Sequence, residues 1–500
     1  MRPAAGDAAP RVAVVGAGIS GLTAAHRLRV LLGPRAVITV VERRDRVGGV
    51  LRTVDLAGVP FDVGAESFLA RRPEGGLLLD ELGLAGQRVR PTAAAPSLRA
   101  GGRSVPLPAA TLLGVPTSRA RLSGLLSPGG AAAVAAEPSR PLRWEAGADV
   151  ALGPLLRARF GDELVDRLVD PLLGGVYAGR VDALGLRATL PTLAAALDGG
   201  ARSLTAAADA AAPEAAPGAA APGAGAPAGP VFEALRDGYR VLLDTLVSAA
   251  AAQLRLGVTV RGLARRPDGW RLLLGPSTGT DVLDIDAVLL AVPAPAAARL
   301  LAGVAPAAAA AAGELELASS AVVALAYRKG DVAPPAGSGL LIATGEPHAV
   351  KGITYSSTKW AHLGADGMVR LRSSLGRFGE AADLQVDDDV LVDRVRADLA
   401  ALAGISAAPV AVAVARWGGG LPQYGVGHPD RVRRIGDGLP PGIAVAGAAL
   451  HGVGVPACIG TARSAAGRLA GQLAGVPPGS SGPPGRDGSM EPWPVSTTPR

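Results

Sequence analysis

The chain has 500 residues, enough for a large core and two or three domains. Hydrophobic residues make up 49% and aromatics 3%, and only Lys329, Lys351 and Lys359 among the 50 basic residues are lysines, a bias that resembles a GC-rich coding sequence more than a functional signature. A net charge of +7 with no basic run interleaved with aromatics argues against nucleic-acid binding, and a single cysteine, Cys458, excludes an internal disulfide and a Cys-based metal site.

The mild basic bias suits an anionic substrate or membrane surface as well as scattered solvated arginines. The five histidines show no metal-ligand spacing, so no metal site is expected. Met1–Pro10 lacks the apolar stretch of a signal peptide, and the most apolar run, Ala287–Ala312, is broken by prolines. A cytoplasmic protein is expected, with peripheral membrane contact as an open alternative.

Residues 11–42 carry the strongest motif. Val12–Val15 is an apolar run suited to a buried parallel strand. Gly16-Ala17-Gly18-Ile19-Ser20-Gly21 follows and opens a helix over Leu22–Leu32. Gly16 permits the tight turn, Gly18 a close approach to a pyrophosphate, and Gly21 close packing of helix on strand. The phosphates would sit at the helix N-terminus. Glu42 ends the second strand, where a carboxylate can accept both ribose hydroxyls. A bare G-x-G-x-x-G is weak; this one has the strand, the helix and the acidic residue in place.

Gly48-Gly49 suits a backbone crossing close to a ligand, and Gly64-Ala65-Glu66-Ser67 comes next. Residues 80–200 read as largely helical, for example over 150–160 and 162–173. Residues 206–230, almost uncharged Ala/Pro/Gly, read as a disordered insert, with similar composition at Pro128–Pro138 and in the tail Gly475–Arg500. Phe232–Leu246 reads as a turn then a helix. Strands are expected at Val258–Val260, Trp270–Leu274, Ala287–Val292, Ala321–Tyr327 and Met368–Ser374, and an amphipathic helix at Asp387–Ala403. Ile443–Gly447 is a further buried strand, followed by a Gly-rich turn and a helix to about Ala474. A strand–turn–helix unit at each end of the chain predicts one nucleotide domain assembled from separate segments.

These residues together resemble the flavin-dependent protoporphyrinogen/coproporphyrinogen oxidases of haem synthesis, from Arg11 to about Ala474 apart from the insert. Gly16–Gly21, Glu42, Gly48-Gly49 with Arg52-Thr53, and Gly447 are similar to markers of the wider amine-oxidase-like flavoproteins. Phe160–Val165 with Asp170–Gly179, Pro422–His428 after Trp417, and Gly452–Ile459 resemble narrower porphyrinogen-oxidase segments. The resemblance implies an α/β and α+β fold. A discontinuous Rossmann-like FAD-binding domain (11–80, 231–296, 410–474) would join a helical subdomain (81–205) and a mixed-sheet substrate domain (297–409).

Carried over, the resemblance implies that Gly16, Ala17, Gly18, Ile19, Ser20 and Gly21 hold the FAD pyrophosphate, and that Glu42 and Arg43 meet the adenosine ribose. Gly49, Val50 and Gly64, Ala65, Glu66 and Ser67 would lie along the flavin end. Val260 would serve the adenine side through its backbone, Trp417 would pack near the flavin, and Val453, Gly454 and Val455 would meet its ring system. By its place just after the flavin loop, Arg72 would hold a substrate propionate or stand as a solvated charge, and Val176 and Tyr177 would wall the substrate cavity. No catalytic acid or base is assigned; His451 is a lone histidine, and Lys351 and Lys359 receive no role. Departures are Ala448-Ala449-Leu450 and Ala457 in the C-terminal turn, and Pro96-Ser97 where some members place an arginine, for which Arg99 or Arg103 would substitute.

The implied reaction is a six-electron oxidation of a porphyrinogen with O₂ as final acceptor and H₂O₂ as by-product. Coproporphyrinogen III is favoured over protoporphyrinogen IX, because the composition resembles that of high-GC, single-membrane bacteria and no membrane anchor is evident. A transient contact with the next haem-pathway enzyme is also implied. The competing readings are an amine oxidase or carotenoid desaturase on the same fold, and a non-catalytic flavin or porphyrin carrier.

Overall fold

The computed structural model describes residues 9–212, 230–276, 278–279 and 281–475. The tail after 475 and most of the 206–230 insert lie outside them; Leu204–Ala211, at the insert's start, is a helix.

The dinucleotide region is a five-stranded parallel sheet in the order Gln253–Arg255, Val37–Val41, Arg11–Val15, Ala287–Leu290, Ile443–Val445. Its strands are apolar because both faces are covered. Val12 and Val14 pack beneath the helices Ile19–Leu32, Tyr239–Ala250 and Val455–Leu473. Ala13 and Val15 face the opposite layer, where Trp270, Leu272 and Leu274 meet the helices Ala294–Leu301 and Pro306–Gly313. That layer contains the antiparallel strands Val260–Arg266, Gly269–Leu274 and Val282–Ile285. The strand expected at Val258–Val260 therefore starts at its last residue, and 256–259 is a connection held beside Glu42 and Arg44.

A second sheet of seven strands runs in the order Ala411–Pro422, Leu317–Arg328, Met368–Leu375, Val350–Thr354, Gly339–Ile342, Pro96–Ala100, Arg103–Pro106. Alternation splits its faces. Ala321, Val323 and Leu325 pack on the helix Asp388–Ala403, whereas Val322, Ala324, Ala326 and Trp417 pack against Leu56, Phe61 and Val63 next to the dinucleotide region.

The 80–200 stretch is not helical throughout. It begins with short strands, and Pro96–Ala100 pairs in parallel with Gly339–Ile342, a partner too distant in sequence for local pattern to reveal. From residue 152 the expectation of helices holds, with a π-type turn at Val165–Val169. Pro171 explains that turn, because it has no N–H to donate back along the helix.

Pro128–Pro138 is also ordered. Pro128–Ala136 is a helix, capped by the Ser127 hydroxyl accepting from Gly130 N at 3.1 Å. Fully buried Glu137 then accepts from Arg159 Nη2 (2.7 Å), Leu204 N (2.8 Å) and Thr205 Oγ1 (2.8 Å), tying three helices together.

Candidate active site

The first turn is built by steric necessity. Gly16 has φ +101°, and a Cβ there would overlap the Ala291 carbonyl oxygen; a Cβ on Gly21 would overlap the Gly16 carbonyl oxygen. Gly16 N donates to Val41 O at 2.8 Å, which fastens the turn to the second strand. Gly48 N donates to Ala17 O (2.8 Å), and a Cβ on Gly49 would stand 3.2 Å from the Gly18 Cα. The paired glycines thus cross close to the first turn. The Ile19–Leu32 helix has Gly18 as N-cap, no side-chain cap and no acid in its first turn. Its first N–H groups have no intrahelical acceptor. Ile19 and Ser20 are buried.

Glu42 is buried at the end of the second strand. Its carboxylate accepts from Ala17 N and Arg44 N, each at 2.9 Å, while Arg43 is exposed. Val258 N reaches the Glu42 carbonyl at 2.9 Å, and Val260 begins its strand two residues later.

The second loop is held from the far sheet. A Cβ on Gly64 would overlap the Val50 carbonyl oxygen. Trp417 Nε1 donates to Val63 O (3.1 Å) and Arg372 Nη2 to Gly64 O (2.5 Å). Lys359 Nζ pairs with Glu66 at 2.8 Å, and Ser356 Oγ donates to the other Glu66 oxygen at 3.1 Å. Burial alone would raise the Glu66 carboxyl, but the Lys359 and Arg372 cations hold it below the usual carboxylate range. Nearby Asp62 is pushed up to about 7 by burial, against the hydrogen bonds it accepts from Thr53 Oγ1 and Tyr239 N. Val50 is 44% exposed. Ala65 and Ser67 complete the loop, both partly exposed.

The C-terminal turn is clamped by a residue whose role the sequence did not declare. Tyr424 Oη donates to Ala448 O (2.6 Å) and accepts from Gly452 N (2.8 Å), spanning the turn from outside. Its ring stacks on His428 at 3.8 Å and lies 5.4 Å from Tyr177. Gln423 Nε2 donates to Tyr177 O (2.8 Å). His428 Nε2 donates to Leu450 O (3.0 Å), while buried Nδ1 has no partner. Burial accordingly pushes His428 down to about 4. Val453 packs against the helical core, and Gly454 caps the Val455–Leu473 helix, again without a side-chain cap or first-turn acid. The two uncapped helix starts meet where Ser20 hydrogen-bonds Cys458, whose thiol burial pushes up to about 11.

Tyr177 is buried and Val176 is 42% exposed, both beside the Tyr424 cluster or its helix. Arg72 pairs with Glu74 at 2.7 Å at the start of the Pro73–Glu81 helix. Arg99 faces Glu346 at 3.5 Å and Arg103 donates to Gly124 O, so neither joins the loops around Gly64 and Gly452. His451 is exposed at the turn. The roles of Tyr424, Lys359 and Arg372 escaped the sequence; for Tyr424 the only signal was its place in Pro422–His428. Among the described residues there is no group of three or more potential metal ligands, and no helix is long and apolar enough to cross a membrane.

A parallel sheet with two uncapped, glycine-started helices beyond the C-terminal ends of its strands, a strand-end carboxylate, and a second sheet clamping the intervening loop define a dinucleotide-dependent flavoprotein oxidoreductase. The chain matches the family model for flavin containing amine oxidoreductases over residues 19–470. It is 46% identical to the coproporphyrinogen III oxidase of Mycobacterium leprae over 455 residues, 91% of this chain and 96% of that one. The structure is similar to a putative protoporphyrinogen oxidase from Exiguobacterium sp. (TM-score 0.79, 29% identity, 92% of this chain and 98% of that one). It is also similar in fold to cyclohexylamine oxidase from Brevibacterium oxydans (TM-score 0.67, 16% identity, covering 93% and 100%). The chain belongs to the flavin containing amine oxidoreductase family, among its coproporphyrinogen III oxidases.

Its cofactor is FAD. The residues present fit it: two orphaned helix N-termini suit a pyrophosphate and an electron-rich ring, and glycines stand where a Cβ would obstruct. The protein is an enzyme, an FAD oxidoreductase of haem biosynthesis.

Proposed function

We propose that the protein oxidises coproporphyrinogen III to coproporphyrin III in the cytoplasm, at most peripheral to a membrane. The observation that carries this reading is the 46% identity, over nearly the whole of both chains, to an enzyme named for that substrate. Six hydrogens leave the porphyrinogen in three two-electron steps, each the loss of a hydride and a proton, so that in sum each of the four meso carbons loses one hydrogen and two of the four pyrrole nitrogens lose theirs. Three O₂ are reduced to three H₂O₂. FAD supplies the two-electron acceptor.

In this reading Gly16–Gly21 hold the pyrophosphate and Glu42 the ribose, with Arg43 beside it and Val260 on the adenine side. Gly49, Val50 and Gly64–Ser67 follow the flavin end, Trp417 supports it, and Val453–Val455 meet the ring. Val176 and Tyr177 wall the substrate space, and Arg72 takes a propionate on exchanging Glu74. The protein's contribution is orientation and exclusion of water, for which the Trp417, Arg372 and Lys359 contacts to the loop provide rigidity. The segments 11–80, 231–296 and 410–474 act as the FAD domain, 81–205 as the helical subdomain and 297–409 as the substrate domain. The product would pass to the next enzyme of the pathway by transient contact.

Protoporphyrinogen IX is the second reading, favoured by the name of the Exiguobacterium relative. Aerobic turnover of each porphyrinogen, with O₂ uptake and H₂O₂ measured against porphyrin fluorescence, distinguishes them. A higher kcat/KM for coproporphyrinogen III supports the first reading, and a higher value for protoporphyrinogen IX replaces it.

A further inference from the structure

Lys351 is one of three lysines in the chain, and it lies where the second sheet is irregular. On its strand Val350 pairs with Leu375 and Gly352 with Ser374, so Lys351 is an extra residue at a bulge, a feature that re-aims a side chain. It is 9% exposed, and its amine has no hydrogen-bond or ion-pair partner among the described residues. Lys359, by contrast, is paired with Glu66.

The charges around Lys351 are mostly of its own sign. Arg372 and Arg377 act on it, and the carboxylate that does so is Glu380, already paired with Arg180. Arg377 is itself partly buried and has no acidic partner among the described residues. Arg372 donates one nitrogen to the Gly64 carbonyl and keeps others in reserve. Burial, reinforced by the two guanidiniums, holds the Lys351 amine down at about 8.

The cluster lies between the two parts of the site. The helix Asp170–Tyr177 packs on the Lys351 strand, and Phe378 N donates to Ala178 O at 2.6 Å, so the Arg377 loop touches the residue after Tyr177. On its other side Arg372 reaches the Gly64 loop. Arg372 is shared with Glu66, but Lys351 and Arg377 have no carboxylate of their own, and such cations in a largely buried setting are costly unless an anion is delivered to them.

We propose that Lys351, with Arg377 and Arg372, forms an anion subsite that takes a carboxylate of the substrate, a propionate side chain of the porphyrinogen. This rests on the function proposed above. It gives the site a cationic anchor beside the Tyr177 helix, and it makes carboxylate number part of substrate selection.

The test is titration of the FAD-loaded enzyme with coproporphyrin III and with its tetramethyl ester, read by porphyrin fluorescence. Lys351→Met is expected to weaken binding of the acid roughly 10- to 100-fold while leaving ester binding unchanged, and Lys351→Arg to restore most of the loss. Arg377→Gln should weaken the acid in the same direction, and serves if the Lys351→Met protein does not fold. Equal affinity of wild type and both variants for the acid would overturn the proposal, as would parallel losses for acid and ester. A loss of kcat with unchanged affinity and an altered pH profile would make Lys351 a proton acceptor and also overturn it. No binding of either porphyrin by the wild type would instead remove the underlying functional reading, and the subsite with it.

Discussion

The two strand–turn–helix units of the parallel sheet, one on its central strand and one on an edge strand, look alike and are held in different ways. Both start a helix at a glycine without a side-chain cap. The first turn is shaped by backbone sterics, because a Cβ on Gly21 would overlap the Gly16 carbonyl oxygen within it and a Cβ on Gly16 would overlap the Ala291 carbonyl oxygen at the end of the neighbouring strand. The second is shaped from outside, by Tyr424 bridging Ala448 and Gly452 and by His428 holding Leu450. A turn fixed by backbone contacts with its own sheet is as rigid as that sheet, whereas one held by a side-chain clamp is coupled to whatever moves the clamp. Here the clamp also touches Tyr177 and so joins the C-terminal turn to the helical region.

Substitutions should separate the two designs. Gly21→Ala has the largest expected effect, since the new Cβ would overlap the Gly16 carbonyl oxygen; roughly 3 kcal/mol or more of stability and most of the bound FAD should be lost. Denaturant unfolding and the flavin-to-protein absorbance ratio measure both. Glu42→Ala leaves Ala17 N and Arg44 N without their buried acceptor; about 1–3 kcal/mol and ~10-fold or more in FAD affinity should go. Isothermal titration of the apoprotein gives the affinity.

Tyr424→Phe keeps the ring stack and removes the bridge. About 1–2 kcal/mol of stability is expected to be lost, with FAD retained and its absorbance band shifted. Loss of FAD equal to that in Gly21→Ala would erase the distinction between the two turns. The smallest effect is the pH dependence of the clamp. His428 is depressed to about 4 in the folded protein from its ordinary 6.5, so the unfolded chain takes up a proton first as pH falls. Stability should therefore decline as pH drops from about 6.5 to about 4 and be indifferent to this group above that range. His428→Gln should flatten this part of the urea-unfolding pH profile relative to wild type.

What could be read from sequence follows the same division. Gly16–Gly21 and Glu42 were legible because strand, turn, helix and carboxylate are contiguous, and the C-terminal helix because its glycines repeat that pattern. Tyr424 was hidden: the motif marked its segment, but only the tertiary structure brings its hydroxyl to the 448–452 turn. Lys359 and Arg372 reach residues 64–66 from strands or turns far along the chain, a register that periodicity does not specify. The 128–136 helix was missed because Ala/Gly composition hid a Ser-Pro start, and the 88–116 strands because their partners are remote.

The central claim is that the two turns together hold an FAD that porphyrinogens reduce. The direct measurement is anaerobic mixing of the purified holoenzyme with coproporphyrinogen III or protoporphyrinogen IX, followed at about 450 nm, where oxidised flavins absorb. Bleaching by coproporphyrinogen III, reversed on admitting O₂, is the predicted result. A flavin that stays oxidised with both porphyrinogens would contradict the account.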